Sequence, residues 1–244
     1  MYITSINGNQ VLKFKIFERF PEVFAITTTI NSTIIETPAK NKHWFLFQKE
    51  FYESLNFNFH DISYLNQVHS NNVRIADEAG FQGKGDGMVT GKKGNYLSIT
   101  TADCVPIFLY LPRKKGVALI HCGWKGAQKV IVGETMSTLK QYFGVFGSED
   151  LFCGIGPHIK KCCYEFSKDD VDVFDRQYYD NHKKDKVKLD LTSIVKDQLL
   201  SEGLRHCNIE ISELCTCCNE ELLYSYRREN SLKGRMINII GIQR

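Results

Sequence analysis

Five short runs constrain the fold more than anything else in the chain: 96–100 (YLSIT), 105–111 (VPIFLYL), 116–121 (GVALIH), 151–155 (LFCGI) and 236–242 (MINIIGI). Each is mostly apolar along its length and lies close to turn-forming or charged residues. Near-continuous apolar runs of this length suit strands covered on both faces, so the chain is expected to bury a sheet between other layers. Helical spacing supplies those layers. Val132, Met136, Leu139 and Phe143 share one helix face, and Gly144 follows as a stop. Leu191, Val195 and Leu199 share another face, ending near Gly203. Ser167-Lys-Asp-Asp170 reads as a capping box and predicts a helix carrying Val171, Phe174 and Tyr178. Strands alternating with helices give an α/β fold layered α/β/α. The 111–116 connection is short enough to join antiparallel neighbours, so the sheet is expected to be mixed. No linker, repeat or composition shift divides the chain, which makes residues 1–244 one domain in this reading.

Charge and composition exclude several function classes. A net charge of +3 is too mild for a nucleic-acid surface. No apolar stretch reaches the roughly 18 residues that span a bilayer, and MYITSINGNQVLKFKIF lacks the apolar core and cleavage site of an export signal. The expectation is a cytoplasmic protein with no nucleic-acid or membrane partner. Nine cysteines, an odd count in a long chain, point to buried thiols, metal ligands or nucleophiles rather than a disulfide scaffold.

Three stretches carry potential chemistry: 65–70 (LNQVHS), 101–106 (TADCVP) and 120–126 (IHCGWKG). They place His69, Cys104 and His121 at the edges of apolar runs. Pairing across the 111–116 connection would bring Cys104 near His121. Two imidazoles and a thiolate suit zinc, and three protein ligands with an open fourth position mark a catalytic site. Taken singly, each residue is better explained as a satisfied histidine or a buried thiol than as a metal ligand. A second group, His206, Cys207, Cys215, Cys217 and Cys218, offers metal ligands too. Its Cys215-x-Cys217 spacing is tighter than usual, and no second well-spaced pair completes a four-ligand set.

The stretches NQVHSNNV, KGDGMVT, LSITTADCVPIFLY, VALIHCGWKG, GIGPHIKKCCYEF and CTCCNEELLYSYRRENSLKGRMINII occur in this order. From about residue 60 onward the chain resembles the laccase-domain proteins, also called peptidoglycan editing factor or YfiH-like purine nucleoside phosphorylases. The resemblance implies a single α/β/α-layered domain with a metal, Zn2+, held by His69, Cys104 and His121. It also implies purine nucleosides and phosphate as substrates: phosphorolysis of adenosine, inosine and methylthioadenosine, together with adenosine deamination. The sequence departs from the pattern in two places. HCGWKG replaces the usual HAGWRG, so Cys122 stands for a small apolar residue and Lys125 for arginine, and the Arg-Gly-Gly stretch common near the family's N-terminus is not evident around residues 27–32.

Within that framework Cys104 and Asp103 are the candidate catalytic residues, and Lys125 and Arg227 the candidate substrate contacts. Arg228 and Arg235 are further candidate phosphate ligands. Asp86, in Gly85-Asp-Gly87, reads either as a group orienting a histidine or as a tight turn, with the turn preferred. Two alternatives use the same residues. One is a cysteine-type hydrolase with Cys104 as nucleophile, editing peptidoglycan precursors. The other is a copper-dependent polyphenol oxidase, for which the chain's seven scattered histidines are a poor match.

Overall fold

The structure, a computed structural model, describes residues 1–32, 49–230 and 234–244. In chain order the first strands are β1 (Tyr2–Ile6), β2 (Asn9–Lys13), β3 (Val23–Thr28), β4 (Ile62–Asn66), β5 (Val73–Ile75), β6 (Gly80–Lys84), β7 (Gly87–Thr90) and β8 (Tyr96–Thr101). There follow β9 (Val105–Leu111), β10 (Gly116–Cys122), β11 (Phe152–Ile155), β12 (Glu165–Ser167), β13 (Tyr179–Lys183), β14 (Lys186–Leu189), β15 (Ile209–Ile211) and β16 (Met236–Ile242). The helices are α1 (Lys49–Ser54), α2 (Trp124–Gln128), α3 (Ile131–Phe143), α4 (Leu191–Ser201) and α5 (Tyr226–Glu229).

The strands form a seven-stranded sheet ordered β1-β2-β3-β16-β8-β4-β6, a six-stranded sheet ordered β15-β11-β9-β10-β7-β5, and a small sheet ordered β12-β14-β13. Both large sheets are mixed, with β4 parallel to β6 and β8, and β5 parallel to β7. The expected mixed α/β fold is present, and its central layer is double. Leu97, Ile99, Ile240 and Ile242 of the first sheet pack against Met88, Phe108, Tyr110, Val117 and Leu119 of the second. On the far side of the second sheet, Ile107, Leu109, Ala118 and Ile120 meet Val132, Met136 and Leu139 of α3 and Leu191, Val195 and Leu199 of α4. On the far side of the first, Ile26, Ile62, Ile237 and Ile239 meet Phe51 and Tyr52 of α1. The order of layers is therefore helix, sheet, sheet, helix. Both sheets are covered twice, which is why their strands read as unbroken apolar runs. Each fully buried Leu or Ile contributes about 1.5–3 kcal/mol of the driving force.

The hairpin that the short 111–116 connection implied is antiparallel, in the register Gly116↔Leu111 through His121↔Pro106 to Cys122↔Val105. Pro112 begins its turn and Lys115 closes it at φ 50°. Alternation along β10 sends Ala118, Ile120 and Cys122 toward the helices and Val117, Leu119 and His121 toward the other sheet. The Cys122 thiol thus lies in the helix-side core, on the opposite face of the strand from His121.

One expected helix is absent. Over 167–178 the chain makes two single 3-10 turns, Val171–Val173 and Arg176–Tyr178, instead of an α-helix. Ser167 ends β12, and its hydroxyl accepts from Asp169 N at 3.3 Å, a local turn rather than a helix cap. The Lys168 N–H is spent on Asp185 O, which ties this segment to the small sheet. The 191–199 helix and the helix ending at Gly144 form as expected, with Gly144 at φ 77°.

Candidate active site

The 65–70 loop follows β4 and is pinned from two sides. Gln67 accepts from Thr100 N at 2.8 Å and donates to Thr100 O at 2.8 Å, locking the loop to β8. The fully buried Asp86 carboxylate accepts from the backbone N–H groups of Val68 (3.3 Å), His69 (3.0 Å) and Ser70 (2.6 Å), and from the Ser70 hydroxyl (2.7 Å). These bonds hold His69 in the left-handed region at φ 56°. Cys104 follows Asp103, itself at φ 90°, in the turn between β8 and β9. His121 arrives from β10.

The three side chains converge. One donor atom each from His69, Cys104 and His121 lies within 4.8 Å of the other two. Cys104 Sγ is 3.9 Å from His69 Nε2, and the imidazole rings are 4.8 Å apart. Asp86 Oδ1 is 2.8 Å from His121 Nδ1. A carboxylate only accepts, so Nδ1 carries a proton, and Nε2 is the nitrogen that can turn to a ligand once it gives up its own. The turn reading of Asp86 is therefore replaced: it is the residue that orients this cluster. Gly123 gives the cluster room, since a Cβ there would fall 3.0 Å from Cys104 Sγ and 3.1 Å from His69 Cδ2.

The electrostatics favour a charged cluster. Burial alone pushes the Cys104 thiol up, but the His121 and His69 rings offset that and bring it down to about 6. Burial opposes charge on His121, and the Cys104 sulfur and Asp86 carboxylate offset it, raising the ring to about 9. Asp86 is held at about 2, where burial is outweighed by the His121 and Ser70 donors. The donor set, its oriented imidazole and its ready thiolate fit a borderline metal ion.

Beside the cluster is a cavity of about 460 Å³, whose walls include Gln67, Thr101, Asp103, Trp124, Ile159, Tyr164, Leu191, Tyr226, Arg227 and Arg235. Volume and lining match a small-molecule site with an apolar slot and a few polar groups. Sequence reading missed the slot itself. Ile159 and Tyr164 flank the Cys162-Cys163 pair, and Tyr226 opens the YRRE helix, so only their place inside quoted motifs could have marked them.

The expected substrate contacts divide. Arg227 lines the cavity, and its guanidinium donates to Glu165 O at 2.7 Å and lies over the Tyr164 ring. Lys125 is exposed, with Nζ 5.4 Å from the Trp124 ring centroid, behind a cavity residue rather than on the wall. Arg228 is consumed by the fold, donating to the carbonyls of Thr216, Cys217 and Leu223 and to Glu229. Arg235 lines the cavity half-buried, with no carboxylate partner among the described residues. Asp103 has both oxygens engaged, by the Thr216 hydroxyl at 2.6 Å and by Arg227 N at 2.7 Å, so it braces the cavity wall. Around residues 27–32 the side chains serve the sheet: Thr27 donates to Asn238, whose amide donates to Thr101. Among the described residues no helix is long and apolar enough to cross a membrane.

Comparison with known proteins shows the family to which the chain belongs. Residues 47–243 match the family model described as multi-copper polyphenol oxidoreductase laccase. A purine nucleoside phosphorylase of Clostridium acetobutylicum is 38% identical over 188 residues, covering 75% of this chain and 78% of that one. The purine nucleoside phosphorylase YlmD of Bacillus subtilis is 33% identical over 199 residues, covering 74% and 70%. Among solved structures, the Bacillus licheniformis hypothetical protein YfiH superposes with a TM-score of 0.85 at 24% identity, over 99% of each chain, a likeness of fold. YlmD from Geobacillus stearothermophilus gives the same TM-score of 0.85, also at 24% identity, over 99% of this chain and 98% of that one. The chain belongs to this laccase-like family, whose relatives carry the names YfiH, YlmD and purine nucleoside phosphorylase.

Proposed function

We propose that the chain is a purine nucleoside phosphorylase acting at a zinc centre held by His69, Cys104 and His121, on adenosine, inosine and methylthioadenosine, and that it also deaminates adenosine. The observation that carries this reading is the convergence of those three donors on the wall of an aromatic cavity that also presents arginines. His69 Nε2, Cys104 Sγ and His121 Nε2 would hold the ion. Zinc bound there would supply a Lewis acid and an activated water at neutral pH.

The chain's own groups account for the rest. Trp124, Tyr164 and Tyr226 offer faces for a purine ring. Arg235 and Arg227 supply the positive charge that phosphate needs. In phosphorolysis a phosphate oxygen bonds to C1 of the ribose as the bond to the base breaks, and the base leaves with the bonding pair and takes up a proton. Asp103 acts by holding Arg227 and the 216 turn in place. Purine nucleoside phosphorylase as the name of relatives from Clostridium and Bacillus supports the substrate class.

A second reading has its own observation. Cys104 at about 6 beside His121 at about 9 is also the charge arrangement of a thiolate–imidazolium nucleophile, which would serve a hydrolase of cell-wall precursors. Polyphenol oxidation by copper is less well supported, because the cluster offers two histidines where a multicopper centre needs many.

Incubation with adenosine, with and without phosphate, followed by separation of products tests the proposal. Adenine and ribose phosphate formed only with phosphate, and inosine formed without it, are the expected results. Unchanged adenosine in both samples, or turnover that survives His121→Ala, overturns it.

A further inference from the structure

The fold gathers a second set of donors that the first site does not use. Cys162, Cys163, Cys215 and Cys218 come from two separated turns, and their four sulfurs all lie within 4.8 Å of one another. The Cys163–Cys218 separation is 3.3 Å, and Cys162 lies 3.7 Å from both Cys163 and Cys218. A tetrahedral zinc ion with bonds of about 2.3 Å to sulfur has sulfur–sulfur edges of about 3.8 Å. The three separations among Cys162, Cys163 and Cys218 are therefore already close to such edges, and the Cys215 sulfur lies within 4.8 Å of each. Cys215-Thr-Cys-Cys218 also supplies the two-residue gap of a zinc knuckle, a spacing hidden in the sequence by the intervening Cys217. His206 and Cys207 lie outside the quartet, as does the Cys217 sulfur.

The surrounding backbone favours a thiolate at Cys215 and holds the two turns in place. Lys160 N donates to Cys215 Sγ at 3.4 Å, the kind of outer contact that orients a metal-bound sulfur. Each turn is closed on itself, by Cys163 N and Tyr164 N to Lys160 O, and by Asn219 N to Cys215 O. The two turns are joined by Thr216 N to His158 O. Cys215 is buried, while Cys162 and Cys218 are exposed, so the quartet closes at the surface where an ion can enter.

We infer that these four cysteines form a second, structural metal site that takes one zinc ion as a tetrathiolate, separate from the His69–Cys104–His121 centre. On binding, four zinc–sulfur bonds form as the thiols release their protons to solvent, and no oxidant is involved. With four protein donors this site has no open position and performs no chemistry. Its role is to fasten the 158–164 turn to the 215–218 turn. The first carries Ile159 and Tyr164 of the cavity wall, and the second carries Thr216, which holds Asp103.

The test measures zinc in the reduced full-length chain after gel filtration. About two zinc ions per chain are expected, falling to about one in the Cys162→Ser/Cys218→Ser variant and, independently, to about one in His121→Ala. These outcomes separate the two centres, since a failure of the proposed enzymatic site leaves the cysteine-bound ion in place. Cobalt(II) titration of His121→Ala gives a second readout, because four thiolate–cobalt bonds produce intense near-ultraviolet charge-transfer absorption that the added serine substitutions should abolish. Zinc content unchanged by the two serines, or a Cys163–Cys218 disulfide in the reduced, zinc-supplied protein, overturns the inference.

Discussion

The Asp86 carboxylate lies 2.8 Å from Nδ1 of His121 and at the same time accepts the backbone N–H of His69 at 3.0 Å. One fully buried side chain thus sets the tautomer of one candidate ligand and the backbone of the other. Asp86→Asn keeps the shape but removes the charge, and an amide that must donate through its nitrogen cannot satisfy all five donors. Loss of an orienting partner of this kind weakens metal affinity about 10–100-fold. Competition against a chelator should show that loss, with zinc the first ion to examine. Native affinity in the variant would mean that Asp86 serves only the loop.

Gly123 is at φ −81°, an ordinary conformation, so Gly123→Ala meets no backbone strain. The new methyl would instead sit 3.0 Å from the Cys104 sulfur and 3.1 Å from the His69 ring. The variant should keep its melting temperature to within a few degrees while losing most of its metal and its turnover. A variant with full metal content would show that the cluster relaxes freely.

Arg235 and Arg228 should separate binding from folding. Arg235→Gln is expected to raise KM for phosphate by about tenfold or more, with KM for nucleoside nearly unchanged, since a charge-assisted hydrogen bond contributes about 1.5–3 kcal/mol. Arg228→Ala leaves the carbonyls of Thr216, Cys217 and Leu223 without their donor and should lower stability by about 1–3 kcal/mol, read from urea midpoints. Equal effects of the two substitutions on phosphate KM would remove this division of roles.

The central strands and two main helices were legible because both sheets are covered twice, so that burial is written along β8, β9, β10 and β16 without interruption. The doubling of the sheet was not, since an apolar run has the same form whether a helix or a second sheet covers it. The β1–β2 hairpin went unread although Asn7-Gly8 is a strong turn signal, with both residues at positive φ (49° and 84°). The small β12–β14–β13 sheet is hidden for a different reason: β13 is polar and mostly exposed, and only Val187 and Leu189 of β14 are fully buried. At the site, candidate ligand types could be named from motifs, but the sequence distances between 69, 104 and 121 carry no geometry. Asp86 was misread because a Gly-Asp-Gly triplet resembles a turn, and only the fold aims its carboxylate at His121.

Glu22 makes a pH test of the sheet-to-sheet clasp. It immediately precedes β3 in the first sheet and accepts from Lys115 Nζ at 2.6 Å and from the Tyr110 hydroxyl at 2.6 Å, both in the β9–β10 hairpin of the second. The Lys115 ammonium and then the Tyr110 hydroxyl hold this carboxyl down at about 2, against 4.5 for a free glutamate. Between those values the unfolded chain binds the proton and the folded chain does not, so stability falls as pH falls. The contribution is complete above pH 4.5 and disappears as pH drops through about 2. Glu22 is partly solvated, which limits its worth to about 1 kcal/mol or less. Urea midpoints of the native chain and Glu22→Gln should therefore differ at pH 6 and converge toward pH 3. A gap that stays constant over that range would show that the clasp acts through packing rather than charge.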